Sequence, residues 1–268
     1  MSTLLSPVVA VLTAVLARAH ALASGLGLPP ESMAAWLLAL AILVACVRTA
    51  MLPLVVHGVR ASHARARALP QLAALQRRYA GRRDLESLTR LRAEQRRINA
   101  EHGVSTMALA PALLQLPLFS ALYVVISDLS AGHPIGTLDR VLVASAVSAS
   151  IYGFHLTGRL TQLNGGLPAL GIMLGLASIA AAASYLGQRW FAMPNLPDSG
   201  VDQPVAMVAL MGWLPALSAV GILVGATVVP AGLLAYWCLN NLWTFAQQGL
   251  IWRFWPTPGS PAAARRLP

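Results

Sequence analysis

Few residues in this chain could do chemistry, and one of them stands out. The stretch ILVACVRTAMLPL, Ile42 to Leu54, is apolar but for Arg48 and Thr49. An arginine inside a membrane-spanning helix costs about 2.5–3.5 kcal/mol on insertion scales, and such charges usually face a wet cavity. A guanidinium is always charged and only donates hydrogen bonds, so it attracts and orients anions and does no acid–base work. The usual marks of covalent chemistry are missing. The sequence has no GxxxxGK[ST] phosphate loop, no GxGxxG turn and no GxSxG elbow. Cys46 and Cys238 sit singly in apolar runs, and the six histidines have no ligand spacing. A non-enzymatic protein without metal or cofactor is expected.

Other polar residues within apolar segments could share a cavity with Arg48. Gln115 lies between Pro111 and Pro117, and Gln188 ends a later apolar run. Tyr236, Trp237, Asn240, Asn241, Thr244, Gln247 and Gln248 cluster near the C-terminus. Steps of three and four residues put Trp237, Asn240, Thr244 and Gln247 on one helical face, which suits a polar wall. Hydrogen bonding between helices accounts equally well for Gln115, Asn240, Asn241 and Thr244. Trp243, Trp252 and Trp255 read as interfacial anchors.

The elements that hold these residues must cross a membrane. Of 268 residues, 57% are hydrophobic and 10% charged, against about 25% charged in a soluble domain. A span needs about 20 apolar residues. Five spans are expected, at about 33–56, 107–126, 167–187, 205–224 and 230–251. The last two come from one apolar run, Val205 to Ile251, which is too long for a single pass and breaks most naturally between Gly225 and Pro230. Residues 1–32 hold a helix with Leu4, Leu5, Val8, Val9, Leu12, Val15 and Leu16 on one face. It reads as an uncleaved helix at the membrane surface, with a signal peptide ending at AHALAS as the rival. Val141 to Leu156 reads as an interfacial or re-entrant piece of a loop.

All 19 basic residues are arginine, and 11 of them lie between Gly58 and Gly103. That places this loop in the cytoplasm, the N-terminus outside and the C-terminus inside. The loop is patterned as a helical hairpin. Leu69, Leu72, Leu75 and Tyr79 mark one helix and Leu85, Leu88, Leu91 and Ile98 the other, with Gly81 as a stop and Asp84 as an N-cap between them. Its arginines, Arg77, Arg78, Arg82 and Arg83 among them, enforce topology and meet anionic lipid; contact with ribosomal RNA phosphates is the sharper alternative. Residues 254–268 read as a short basic cytoplasmic tail.

Several motifs resemble one family. Arg48 is followed by Met51-Leu52-Pro53-Leu54, then Leu69-Pro70-Gln71-Leu72 and Tyr79 in the hairpin. EHGV leads to LLQLPLFSALY, Leu113 to Tyr123, and the last run reads VPAGLLAYWCLNNLWTFAQQGLIWR, Val229 to Arg253. Together these resemble the YidC family of membrane protein insertases over residues 33–253. The chain departs from the family pattern at Val44 and at Ser105-Thr106. The resemblance implies an all-α membrane protein with five transmembrane helices around a hydrophilic groove, the cytoplasmic hairpin and the N-terminal interfacial helix. It also implies the Gram-positive or actinobacterial form, without a large external domain. Arg48, Gln115, Gln188, Tyr236, Trp237, Asn240 and Asn241 would line the groove. The implied partners are nascent membrane proteins, anionic lipid, the Sec translocon and the ribosome, in the plasma membrane. Two other classes compete: a small transporter or anion channel built on Arg48, and a structural subunit of a membrane complex. The sequence has no internal repeat and no second intramembrane charge to favour a transporter.

Overall fold

The apolar runs and their breaks become helices and turns in the structure, a computed structural model that describes residues 2–82, 84–104, 110–160, 166–198 and 205–265. The helices are α1 (Ser2–Gly25), α2 (Met33–Ala50), α3 (Leu52–Arg78), α4 (Leu85–Glu101), α5 (Ala110–Ser130), α6 (Arg140–Ser148), α7 (Gly166–Leu186), α8 (Val205–Gly225), α9 (Ala231–Phe254) and α10 (Pro261–Ala264). A two-residue hairpin pairs β1 (Ser150–Ile151) with β2 (Phe154–His155). The chain divides into two units. One comprises Met1–Met51, Ala112–Tyr185 and Ala216–Thr244, the other Leu52–Pro111, Leu186–Pro215 and Phe245–Pro268.

The first unit buries one stripe of each helix. Leu12, Leu16, Ala19 and Ala23 of α1 face inward at steps of three and four, and α1 packs on α2 through Trp36, Leu40 and Leu43. His20 lies on the Trp36 ring, centroids 4.4 Å apart, and its Nε2–H donates to the Pro30 carbonyl at 2.8 Å. In α5 the stripe is Ala121, Leu122, Val125, Ile126 and Leu129. In α7 it is Ala169, Met173, Ala177 and Ala180, small residues that admit close packing. The first turns of α9 are wholly buried, so their N–H groups need acceptors inside the protein. The loop after β2 supplies them: Ala231 donates to the Gly158 carbonyl at 2.8 Å and Gly232 to that of Leu156 at 2.7 Å.

In the second unit α3 and α4 form the expected hairpin. Ala68, Leu75 and Ile98 make its small core, with Leu72, Tyr79, Leu91 and Val104 against it. Gly81 takes a positive φ of 81°, and Asp84 caps α4 by accepting from the Ser87 N–H at 2.8 Å. Leu85, 84% exposed, stands outside that core, so only the later half of the second apolar pattern is used.

Several boundaries differ from the sequence expectation. The first span does not run to Val56: the helix breaks at Met51, because Pro53 lacks an N–H and crowds the preceding turn. The hairpin's first helix therefore begins at Leu52, not near Gly58. The N-terminal helix is continuous for 24 residues, and Leu5–Gly25 is long and apolar enough to cross a membrane. So are Met33–Ala50, Gly166–Asn195 and Ala206–Gly225. Leu116–Ser130 is apolar but shorter, and α9 is diluted by its Asn and Gln residues. Residues 141–156 form no span: α6 has nine residues, about 13 Å at helical rise, and the β1–β2 turn follows. The break between α8 and α9 falls at the expected place, after Gly225 and before Ala231. The C-terminal residues are not a free tail through Arg265, since the Thr257 N–H donates to Asn195 Oδ1 at 2.7 Å and Ser260 caps α10.

Candidate functional site

Arg48 sits in the last turn of α2, two residues before the helix ends, and not eight residues from the inner end of a longer span. The unpaired carbonyls of a helix C-terminus favour a cation there. Across from it, Asn240 and Thr244 lie one turn apart on α9. Asn240 Oδ1 accepts from Arg48 Nε at 3.0 Å and from Nη2 at 2.6 Å. Thr244 Oγ1 accepts from Nη2 at 3.0 Å and itself donates to the Asn240 carbonyl at 2.8 Å. The threonine hydroxyl is thus oriented by its own helix, with its lone pair turned to the guanidinium.

Among the described residues no carboxylate bonds to Arg48, and none of the acidic residues lies in the sequence of α2 or α9. A guanidinium bonded to neutral acceptors keeps its full charge, and hydrogen bonds to a charged group contribute about 1.5–3 kcal/mol each. Nη1 has no hydrogen-bond partner among the described residues. Arg48 itself is half-buried. The site can therefore hold a cation in place and still present it to an incoming anion.

The other expected site residues fall differently. Tyr236 is only 3% exposed, packed in the core within electrostatic reach of Arg48. Trp237 stacks on Phe119, centroids 6.4 Å apart, and a Cβ on Gly225 would meet its ring at 2.9 Å. The indole N–H of Trp237 is buried without an acceptor. Asn241 donates to the Trp237 carbonyl at 2.9 Å, a bond within its own helix. Gln188 lies in the second unit, in a π-helical turn over Gly187–Ala192. The Gln115 side chain and Arg83 lie outside the described residues. Two cavities of about 570 and 550 Å³ in the first unit are lined mostly by apolar residues, Phe119 and Tyr123 in one, Leu12 and Pro117 in the other; Arg48 lines neither. Of the expected residues the structure brings together Arg48, Asn240 and Thr244 by hydrogen bonds, with Tyr236 within electrostatic reach of the guanidinium. The signal for Thr244 was its place one turn after Asn240 on the polar face.

Among the described residues no cluster of His, Cys, Asp and Glu could hold a metal. On the hairpin, Arg78 pairs with Glu94 at 3.7 Å and Arg97 with Glu101 at 3.2 Å, while Arg82 lies over the Tyr79 ring at 5.6 Å.

Comparison with known proteins identifies relatives of the chain. Residues 29–257 match the family described as 60Kd inner membrane protein. The membrane protein insertase YidC of Streptomyces avermitilis is 31% identical over 245 residues, 87% of this chain and 55% of that protein. The protein of the same name from Mycolicibacterium paratuberculosis is 25% identical, over 84% of this chain and 69% of its own length. That of Tropheryma whipplei is 26% identical, over 98% and 87%. The chain thus spans about half the length of the Streptomyces protein.

Proposed function

Because the chain belongs to the 60Kd inner membrane protein family, we propose that it is a membrane protein insertase of the plasma membrane, with Arg48 as its substrate-attracting charge. Its substrates are nascent membrane proteins, taken alone or together with the Sec translocon. The observation that carries the reading is the Arg48–Asn240–Thr244 cluster, a cation in an apolar helix pair held by neutral acceptors only. An acidic or polar segment of the substrate is drawn toward Arg48, where a lower dielectric than bulk water strengthens the attraction. Water in a groove beside the cluster supplies the hydrogen bonds that lipid cannot, which lowers the cost of the charge. The apolar segment that follows moves sideways into lipid. No bond is made or broken, so no cofactor is required.

In this reading the chain crosses the membrane five times, by α2, the 107–126 segment, α7, α8 and α9, with the hairpin and the C-terminus in the cytoplasm. The α1 helix runs alongside α2, with His20 on Trp36 toward one end and Pro7 to Leu12 beside Val47 to Met51 toward the other, so it accompanies that span and does not lie flat at the outer surface. Single cysteines at Ser62 and Ser130, in a chain lacking Cys46 and Cys238, should label from opposite sides, and labelling of both from outside would overturn the topology.

The charge is tested by protease protection of a translocated tail in vesicles carrying equal amounts of each variant. Arg48→Lys should keep most activity. Arg48→Ala should lose on the order of tenfold with acid-tailed substrates, the size of about 1.4 kcal/mol of lost attraction. Arg48→Glu should lose more, and substrates with uncharged tails should suffer least. Undiminished insertion of acid-tailed substrates by Arg48→Ala would sink the mechanism.

A further inference from the structure

The second unit contains a cavity that the insertase reading does not use. It measures about 590 Å³ and is lined by Arg189, Trp190, Phe191, Pro194, Trp252 and Arg265. That size lies within the range of ligand pockets, about 300–1,000 Å³. Its wall is built by an irregularity. The residues that follow α7 wind as a π-helical turn, Gly187–Ala192, and then a 3-10 turn, Met193–Asn195. The wider turn re-aims the side chains of Arg189 and Trp190 relative to an α-helix, and such π segments are frequent at functional sites.

Glycines lock this turn against α9. A Cβ on Gly249 would meet the Phe191 ring at 3.3 Å, and one on Gly187 would meet Gln248 Oε1 at 2.7 Å. Phe191 packs on Phe245 and on Trp252, centroids 5.2 and 5.6 Å apart. The C-terminal segment closes the other side. It is pinned to the 3-10 turn by the Thr257–Asn195 bond and by α10, and this delivers Arg265 to the cavity with its guanidinium carbon 5.9 Å from the Trp252 ring centroid.

The charges of this cavity are unbalanced. Neither Arg189 nor Arg265 forms an ion pair with a carboxylate among the described residues. Asp198, the acid of this segment, lines a separate cavity with Ser260 and Pro261. The Trp252 indole N–H is buried with no hydrogen-bond acceptor. Two guanidinium groups therefore stand around one space with the Trp252 ring in its wall, and paired guanidinium groups are donors suited to a phosphodiester. The surroundings say which kind. Trp190, Phe254 and Trp255 are each more than half exposed, and exposed tryptophans beside arginines mark the level of lipid headgroups. The leaflet facing the cytoplasm is anionic and attracts basic clusters.

We propose that this cavity binds the headgroup phosphodiester of an anionic phospholipid, with Arg189 and Arg265 on the phosphate oxygens. The site rests on the protein being membrane-embedded and not on its being an insertase. It also gives the C-terminal segment a role: binding joins that segment to the π-helical turn through the ligand.

The full chain in detergent should retain phosphatidylglycerol over phosphatidylcholine, offered in equal amounts, when measured by native mass spectrometry. The double variant Arg189→Gln/Arg265→Gln should lose that adduct roughly tenfold, as two basic contacts to an anionic headgroup would suggest. Arg90→Gln/Arg92→Gln removes the same charge from the hairpin and should change nothing. Equal retention of the two lipids, or full retention by the double variant, would overturn the site. Displacement by equimolar glycerol phosphate would show a soluble phosphate ligand, and displacement by an acidic peptide a protein ligand; either would overturn the lipid assignment.

Discussion

Arg48 in α2 and Arg90 in α4 are the same residue type held in opposite ways. Arg90 is exposed and meets Glu86 one turn earlier on its own helix, and Arg97 meets Glu101 one turn later. Such surface pairs contribute a few tenths of a kcal/mol at most and are screened by salt. Arg48 is half-buried in an apolar helix and has only an amide and a hydroxyl to satisfy it. The hairpin's charges are partly cancelled where they stand, so their effect is collective. The charge on Arg48 is uncancelled, so its effect belongs to one residue. The difference lies in the acceptor and not in the arginine.

The largest test of that contrast removes the hairpin's charges together. Replacing residues 68–98 by a short Gly-Ser linker takes out the last part of α3, most of α4 and their shared core. Among the described residues that core comprises Ala68, Leu75, Ile98 and four partly buried neighbours, and none of these belongs to the core of the first unit. The variant should accumulate in the membrane and extract as a folded protein, yet insert poorly, by an order of magnitude or more. Loss of the protein itself from the membrane would show that the hairpin is structural. Arg90→Ala alone should be silent in the same assay.

A smaller effect comes from giving Arg48 what Arg90 already has. Asn240→Asp puts a carboxylate where Oδ1 accepts two guanidinium N–H bonds, with little change in shape. The resulting pair should be at least as stable as the parent contact, because the hydrogen bonds become charge-assisted. Activity should move the other way. Acid-tailed substrates should insert several-fold less well, because the internal carboxylate competes for the cation, while Asn240→Gln should cost less. Insertion of acid-tailed substrates by Asn240→Asp at the parent rate, with no loss of thermal stability, would mean that the free charge on Arg48 is irrelevant.

Much of this was legible in the sequence, for local reasons. The Asp84 cap, the Gly81 stop and the break between Gly225 and Ala231 rest on backbone chemistry within a few residues. The polar face of α9 follows from helical periodicity, and it led to Asn240 and Thr244. What could not be read depends on contacts between distant residues. Nothing local says that Phe191 will pack on Gly249 and favour a π-helical turn. The C-terminal segment is held by Asn195, some sixty positions earlier, although Ser260-Pro261 is an N-cap signal that was available. Met51 was hidden because the apolar run continues past it to Val56, and hydropathy does not register what Pro53 does to the turn before it. Tyr236 illustrates the remaining gap: spacing places it beside Trp237, but only packing shows that it is buried within electrostatic reach of Arg48.

The smallest expected effect concerns how the hairpin is held. Asp84 accepts from the Ser87 N–H, and that bond, with lesser help from the nearby Arg82 charge, holds its carboxyl below the ordinary aspartate value. A carboxyl whose pKa is lower folded than unfolded adds stability that is present above the unfolded value and is lost as pH falls through the folded one. The contribution is therefore complete at neutral pH and disappears in acid. Asp84→Ala should speed amide exchange at Ser87 and Leu88, in the first turn of α4, and leave the rest of the hairpin nearly unchanged. The ratio of variant to parent exchange at these two amides should be largest near neutrality and approach one below the carboxylate range. Insertion should change little, since neither the core of the hairpin nor its arginines are touched. A ratio that stays constant through the acid range would show that the Asp84 charge contributes nothing to the cap, and that α4 starts where it does because of Gly81 and the loop before it.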